Sequence, residues 1–326
     1  MSDILSLRGV PVLVIGGLGF IGVNLTARLV ALGARVTVLT PSRSRHASQA
    51  DRFEREGARI VEGDLRESTV VGDLVGGQQV VINLAGQSGA VRSMEDPWTD
   101  LDVNLKGTLV VLEALRRRNP GVKYVCVGSR LEYGKPASVP VAEDALGEPL
   151  CLHAIHKRTI HAYLRLYQRL FGLRFAIARV TNPYGPGQPA GRTAYGVINR
   201  MIHLAIADQA ITIYGDGEQL RDYIHVDDVV EALLALAVSA TADGRAYNVG
   251  SGTGTSLKDV AAQVTAAAGG GRLVHVEWPA LAAQIETGDF IADAQRIRLE
   301  LEWTSTIPLG EGLIRTVAHY RNGPGL

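Results

Sequence analysis

Val10-Pro11-Val12-Leu13-Val14-Ile15-Gly16-Gly17-Leu18-Gly19-Phe20-Ile21-Gly22 is the stretch on which the reading of this chain turns. Residues 10–15 form an apolar run of the kind that makes a buried strand. After the glycines, Ile21, Leu25, Leu29 and Leu32 fall on one face of a helix. A buried strand, a tight glycine turn and a helix N-terminus, in that order, make an anion site. The glycines let backbone amides approach a pyrophosphate, and the helix dipole adds partial positive charge. Three glycines alone are a weak signal, since some such matches are only turns. The strand before them and the helix after them point to a bound dinucleotide.

Outward from this turn, short apolar runs alternate with helical patterns. Strands are expected at 10–15, 35–40, 59–61, 80–84, 123–129 and 174–180. One helix is expected over 99–118, where Leu101, Leu105, Thr108, Leu112 and Leu115 recur at spacings of three and four. A second runs over 153–171 and stops at Gly172. Strands alternating with helices imply right-handed crossovers and a parallel sheet. After residue 180 the pattern loosens. Asn182-Pro183-Tyr184-Gly185-Pro186-Gly187-Gln188-Pro189 reads as a loop at the carboxyl end of a strand, where α/β sheets place ligands. Helices are expected near 194–207, 226–239, 257–268 and 309–320, and strands near 211–214, 245–249 and 273–278. The fold class is α/β: a Rossmann-like, doubly wound parallel sheet with a smaller mixed α/β substrate lobe. The expected division is 1–181 with 220–250 for the dinucleotide domain, and 182–219 with 251–326 for the second lobe.

The chain has 326 residues, 46% of them hydrophobic, a formal net charge of +0 and a pI near 7.1. No basic excess speaks for nucleic acid, and no charge run speaks for a membrane surface. No stretch approaches the roughly 20 apolar residues that span a bilayer. The two cysteines, Cys126 and Cys151, are not expected to form a disulfide, because Cys126 falls in a predicted buried strand. This fits a reducing cytoplasm. The eight histidines show no metal-ligand spacing, so no metal is expected.

These motifs together resemble the extended short-chain dehydrogenase/reductase family, the NAD(P)-dependent epimerases and dehydratases of nucleotide sugars. The resemblance covers nearly the whole chain. Gly16-x-x-Gly19-x-x-Gly22, with Phe20 and Ile21, matches the family's cofactor turn. Gly63-Asp64-Leu65 is similar to its adenine contact. Asn83-Leu84-Ala85-Gly86 is similar to the loop under the nicotinamide ribose, and Asn104-x-x-Gly107-Thr108 to the helix that follows. Ser129-Arg130-Leu131-Glu132-Tyr133-Gly134 resembles the strand end that carries a catalytic hydroxyl, with Tyr133 structural. Arg179-x-x-Asn182-x-Tyr184-Gly185-Pro186 and the run from Tyr214 to Asp228 resemble its substrate-side signatures. The resemblance implies a homodimer formed through helices 99–118 and 153–171.

An acid ending the second strand would bond the adenosine ribose and select NAD. Here that strand ends in Thr40, and Ser42, Arg43 and Arg45 follow. Hydroxyls and guanidinium groups there suit a 2′-phosphate, although loop arginines are also commonly just solvated. The cofactor is therefore read as NAD(P), leaning to NADP.

The family uses a hydroxyl donor, a tyrosine base and a lysine four residues later, which one helical turn puts on the same face. Ser129 and Lys157 match, and Lys157 is also a cofactor contact. Counting back four from Lys157 reaches His153, not tyrosine. A tyrosine needs its pKa depressed by about 3 units, roughly 4 kcal/mol, to act as a base at neutral pH, whereas histidine needs almost none. A neutral imidazole, however, leaves the site one positive charge richer than a tyrosinate would. It also reaches less far. Three readings stay open: His153 is the acid/base, His153 only binds, or the chemistry has moved to Glu132, His156 or Cys151.

The resemblance also bears on the reaction. Dehydratases of the family carry Asp-Glu directly after the hydroxyl residue, and decarboxylases keep the glutamate. This chain has Arg130 and Leu131 there. A nucleotide-sugar epimerase, acting at C4 by transient hydride transfer, is the first expectation. An NADPH-dependent nucleotide-ketosugar reductase is the second, and a non-catalytic NAD(P)-binding protein the third. Asn182 is expected to face the sugar or diphosphate, and Arg221 to pair with a phosphate. Val197 and Ile198 resemble residues that cover the base. Asp289 resembles an acid on the nucleotide ribose, while Glu286 stands where many epimerases have arginine.

Overall fold

The computed structural model describes residues 4–188 and 196–322. Seven strands form one all-parallel sheet: β1 (Pro11–Ile15), β2 (Arg35–Thr40), β3 (Arg59–Glu62), β4 (Val80–Asn83), β5 (Lys123–Ser129), β6 (Arg174–Val180) and, after three strands that lie elsewhere, β10 (Arg245–Val249). Their spatial order is β3-β2-β1-β4-β5-β6-β10. The order reverses between β1 and β4, which opens a crevice at the carboxyl edge of the sheet.

Strands buried on both faces read as continuous apolar runs. In β1, Val12 and Val14 enter one core with Leu25, Leu29 and Leu233, while Leu13 and Ile15 enter a second with Leu112, Leu115 and Leu164. That alternation follows from the twofold repeat of a strand. Helices Phe20–Ala31 and Val226–Val238 cover the first face. Helices Ser68–Val75, Gly107–Arg118 and Leu152–Phe171 cover the second.

The smaller lobe holds two further sheets. In one, β9 (Leu220–His225) runs parallel to β7 (Asn182–Tyr184) and antiparallel to β11 (Gly254–Ser256); in the other, β8 (Ala210–Tyr214) pairs in parallel with β12 (Arg272–Val276). Helices Val197–Ile206, Leu257–Ala268 and Leu309–Asn322 close its core around Ile202, Ile213, Val264 and Leu313. The boundary drawn at residue 220 shifts accordingly, because 220–225 pair with β7 and β11 and not with the large sheet. The expected loop after residue 180 likewise contains β7, and its Pro189 lies outside the described residues. So do residues 194 and 195 of the helix expected at 194–207.

The helix expected over 99–118 is not a single α-helix. It comprises Pro97–Asp100, a wide π-helical turn Leu101–Lys106, and Gly107–Arg118. A 3.6-residue repeat in the sequence cannot reveal one widened turn. Among the described residues no helix is long and apolar enough to cross a membrane. Cys126 and Cys151 are both free and buried.

Candidate functional site

A cavity of about 470 Å³ runs along the carboxyl edge of the large sheet, within the range of small-molecule and cofactor sites. Its floor is the glycine turn. Gly16 has φ +81°, and a Cβ there would come 2.9 Å from the Ala85 nitrogen; at Gly22 a Cβ would meet the Gly16 carbonyl oxygen at 2.2 Å. Both positions therefore require glycine, and the turn leaves backbone amides open beneath the helix Phe20–Ala31. Phe20, Ile21, Thr40, Ser42, Asp64, Leu65, Leu84, Ala85 and Gly86 also line this cavity. A long crevice ending in a glycine cradle at a helix N-terminus fits a dinucleotide.

Arg43 departs from its expected place. Its guanidinium is held by Asp51 at 2.6 Å and Glu54 at 2.7 Å, and it does not line the cavity. Two carboxylates on the helix Ala47–Arg55 draw it outward, and Ser42 and Arg45 face the crevice in its stead. Asp64 is gripped by Arg66 at 2.6 Å.

At the far end of the cavity stand Ser129, His153 and Lys157. Ser129 ends β5. Its Oγ accepts the Leu131 N–H at 3.2 Å, which leaves the hydroxyl proton free to donate. Lys157 lies on the helix Leu152–Phe171 and donates to the Val127 carbonyl at 2.8 Å. Burial pushes its ammonium below the usual lysine value. His153 occupies the first turn of the same helix, four residues earlier. Burial lowers its pKa, Lys157 adds to the shift and Asp100 opposes it. The positive helix N-terminus acts in the same direction as burial. The imidazole is therefore neutral at pH 7 and available as a proton acceptor.

Asn104 does not line the cavity. It lies buried behind it, with Nδ2 donating to the Gln87 carbonyl at 2.9 Å and 3.4 Å from His153 Nδ1. Nor do the three alternative groups. His156 is turned to Asp100 at 2.6 Å, Glu132 is buried in an ion pair, and burial raises the Cys151 thiol.

A second cavity, of about 300 Å³, adjoins the first. Ser129, Thr181 and Pro183 line the first, whereas their chain neighbours Arg130, Leu131 and Asn182 line the second. Asn182 accepts from Arg130 Nε at 3.0 Å and donates to the Asp222 carbonyl at 2.8 Å. Arg221 lines this cavity and is paired with Glu286, while also donating to the carbonyls of Leu220 and Gly288. Val197 lines it and is 53% exposed. Ile198 points instead into the lobe's core. Asp289 does not line it; its carboxylate accepts the Leu220 N–H at 2.8 Å and fastens the strand edge.

Sequence reading missed Arg130 as a feature of this cavity. Its partners are neutral, the Oδ1 of Asn182 and the Oγ1 of Thr287, and burial with Arg221 nearby pushes its pKa down to about 10. It is a cation with no carboxylate bonded to it, next in the chain to Ser129. The signal was present in the run Ser129-Arg130-Leu131, where an arginine follows the strand-end serine. Asp100 was missed too, with no local signal in the sequence.

A model of the NAD dependent epimerase/dehydratase family matches residues 12–250. The UDP-glucose 4-epimerase of Mycolicibacterium smegmatis is 34% identical over 322 residues, covering 95% of this chain and 98% of that protein. The solved structure of Thermotoga maritima UDP-glucose 4-epimerase with UDP-glucose superposes with a TM-score of 0.87 at 27% identity, covering 95% of this chain and 98% of that one. That of the Thermus thermophilus UDP-glucose 4-epimerase complex with NAD has a TM-score of 0.82 at 28% identity, covering 96% and 100%. Family match, sequence identity and superposition extend over most of the chain, and the chain belongs to the NAD-dependent epimerase/dehydratase family.

Proposed function

We propose that this chain is a nucleotide-sugar epimerase acting at C4, with His153 in the place of the usual tyrosine. The observation that carries the reading is the convergence of Ser129, His153 and Lys157 where a dinucleotide-shaped cavity meets a second, cation-lined one. When bound, NAD(P) supplies a reversible hydride acceptor. The glycine turn and residues 84–86 would hold it, Lys157 would bind toward its nicotinamide ribose, and Thr40 and Ser42 would take its adenosine end. Ser129 donates a hydrogen bond to the oxygen at the reacting carbon. His153 takes the proton of that hydroxyl and returns it. Arg221 binds phosphate, Asn182 orients the sugar or diphosphate, and Val197 covers the base. A C4 epimer would form if the sugar, oxidised at that carbon, turned over before hydride returned.

A nucleotide-ketosugar reductase using NADPH is the second reading. Its support is the end of β2, where Thr40, Ser42 and Arg45 line the crevice and no carboxylate stands. A homodimer is part of the proposal, built on helices Gly107–Arg118 and Leu152–Phe171; Leu109, Ile155, Leu166 and Leu170 there are exposed apolar residues.

The test is incubation of the purified protein with NAD or NADP and a panel of UDP-, GDP-, CDP- and dTDP-sugars, followed by proton NMR. A C4 epimer without net cofactor consumption is expected, and His153→Ala should slow its formation at least 100-fold while cofactor affinity stays within threefold. Net oxidation of NADPH by a ketosugar would favour the reductase. Cofactor binding with no turnover on any sugar would favour a non-catalytic member of the family.

A further inference from the structure

We infer that Asp100 is the positioning residue for His153: it holds the imidazole as the Nδ1–H tautomer and supplies the negative charge that a tyrosinate would bring. The inference rests on the reading of His153 as the acid/base.

Asp100 is fully buried. Its Oδ1 lies 2.6 Å from His156 Nδ1, so His156 donates to it. Its Oδ2 has no hydrogen-bond partner, yet stands 3.5 Å from His153 Nδ1. An unpartnered buried carboxylate oxygen is rare and costly. Two side chains near it can donate, an N–H on His153 Nδ1 and the Asn104 amide, and that amide is already engaged by the Gln87 carbonyl. Catalytic hydrogen bonds are often long before ligands bind and tighten afterwards. Burial alone would raise the Asp100 carboxyl, but the two imidazoles and Asn104 around it outweigh burial and hold it below the usual range. The group is an anion at neutral pH, and an ionised carboxylate only accepts. Both histidines must therefore present N–H to it.

One contact competes. Asn104 Nδ2 lies 3.4 Å from the same His153 nitrogen, and donation from it would force the opposite tautomer. That amide already donates to the Gln87 carbonyl at 2.9 Å, and its own Oδ1 is buried without a partner. Satisfying the carboxylate outweighs a long second bond from an amide. With Nδ1–H directed at Asp100, Nε2 lies on the opposite edge of a ring that lines the cavity.

The charge count then closes. Asp100 and Lys157 sum to zero beside a neutral His153. With NAD(P) bound as hydride acceptor, the sugar O–H bond would break, an N–H bond would form at Nε2, and the two electrons of the adjacent C–H bond would leave as hydride. The side chains would gain one proton, and so one positive charge, as a bound cofactor would give one up. A tyrosinate and lysine would start and end with the same totals. Asp100 thereby removes the excess positive charge that His153 alone would leave. The other ionisable groups near the ring are His156 and Cys151 at its own helix start, and Glu132 across the cavity wall, which is neutralised by Arg179.

The test uses the full-length protein with NAD bound and ¹⁵N-labelled histidine, assigned with His153→Gln and His156→Gln. Wild type should show His153 protonated at Nδ1 and unprotonated at Nε2. Asp100→Asn should abolish that preference and lower the His153 titration midpoint by about one pH unit or more, with kcat down about 100-fold and KM within threefold. Observation of the Nε2–H tautomer in wild type would overturn the inference, as would an unchanged midpoint in folded Asp100→Asn. If that variant misfolds, the wild-type tautomer decides the matter alone. The Nδ1–H tautomer in a protein that turns over no sugar would overturn the proposed function and with it the positioning role, while the tautomer set by Asp100 would stand.

Discussion

Glu132 Oε2 accepts a hydrogen bond from Arg179 Nε at 2.9 Å, and both side chains are about 1% exposed. The other oxygen, Oε1, accepts the Ser129 N–H at 2.8 Å. Both oxygens are thus committed, and Glu132 serves the strand end that carries the serine. A carboxylate beside a candidate active site is here a structural anchor for it.

Removing one member of a buried ion pair strands its partner. Glu132→Ala should therefore cost about 3–5 kcal/mol of folding stability, read as a fall in the urea midpoint. It should also loosen Ser129. A variant as stable as wild type would show that Arg179 finds other partners, such as the Glu143 carbonyl it already reaches at 2.8 Å.

Gly22→Ala places a methyl group 2.2 Å from the Gly16 carbonyl oxygen and 2.7 Å from Gly17 backbone atoms. Backbone cannot swing aside as a side chain can. Dinucleotide affinity should fall at least tenfold by calorimetry, with a clear loss of thermal stability. Unchanged affinity would mean that the turn is not the pyrophosphate site.

In the second cavity the charges differ in kind. Arg221 is neutralised by Glu286, whereas Arg130 has only neutral hydrogen-bond partners. A hydrogen bond to a charged group contributes about 1.5–3 kcal/mol. Arg130→Met and Arg221→Met should each weaken binding of a nucleoside diphosphate by roughly tenfold to a hundredfold. Glu286→Gln should strengthen it, since the competing anion is gone. Equal binding in all three variants would move the diphosphate elsewhere.

Burial, with Arg179 and Arg165 nearby, pushes His161 down to about 4. Its Nδ1 faces Arg179 Nη2 at 3.2 Å, so it must accept and stay neutral. The unfolded chain titrates near 6.5 and takes up the proton first as pH falls. The contribution is complete above about pH 6.5 and is lost progressively toward pH 4. After discounting for its partial exposure it amounts to about 2 kcal/mol. Denaturant midpoints between pH 7 and pH 4 should show this loss, and His161→Gln should flatten it.

The large sheet was legible in the sequence because its inner strands are apolar runs bounded by turn residues, and burial on both faces leaves that pattern intact. Strands 123–129 and 174–180 were read with the bounds they have in the structure. The β7-β9-β11 sheet was not read. Its strands are three to six residues long, and β9 is polar in sequence, with Arg221 and Asp222 buried through hydrogen bonds that a hydropathy pattern cannot show.

The glycine spacing, the absence of an acid after β2, and histidine in the tyrosine's place were all determined by sequence, because each depends on neighbours along the chain. The direction taken by Arg43, the core position of Ile198 and the strand-fastening role of Asp289 were decided only by tertiary structure. So was the meeting of Asp100 with His153 and His156. Asp100 sits at the end of one short helical turn and the histidines at the start of a distant helix. Only packing brings the carboxylate and the imidazoles together in one buried place, where a hydrogen bond is stronger and an unpaired polar group costs more.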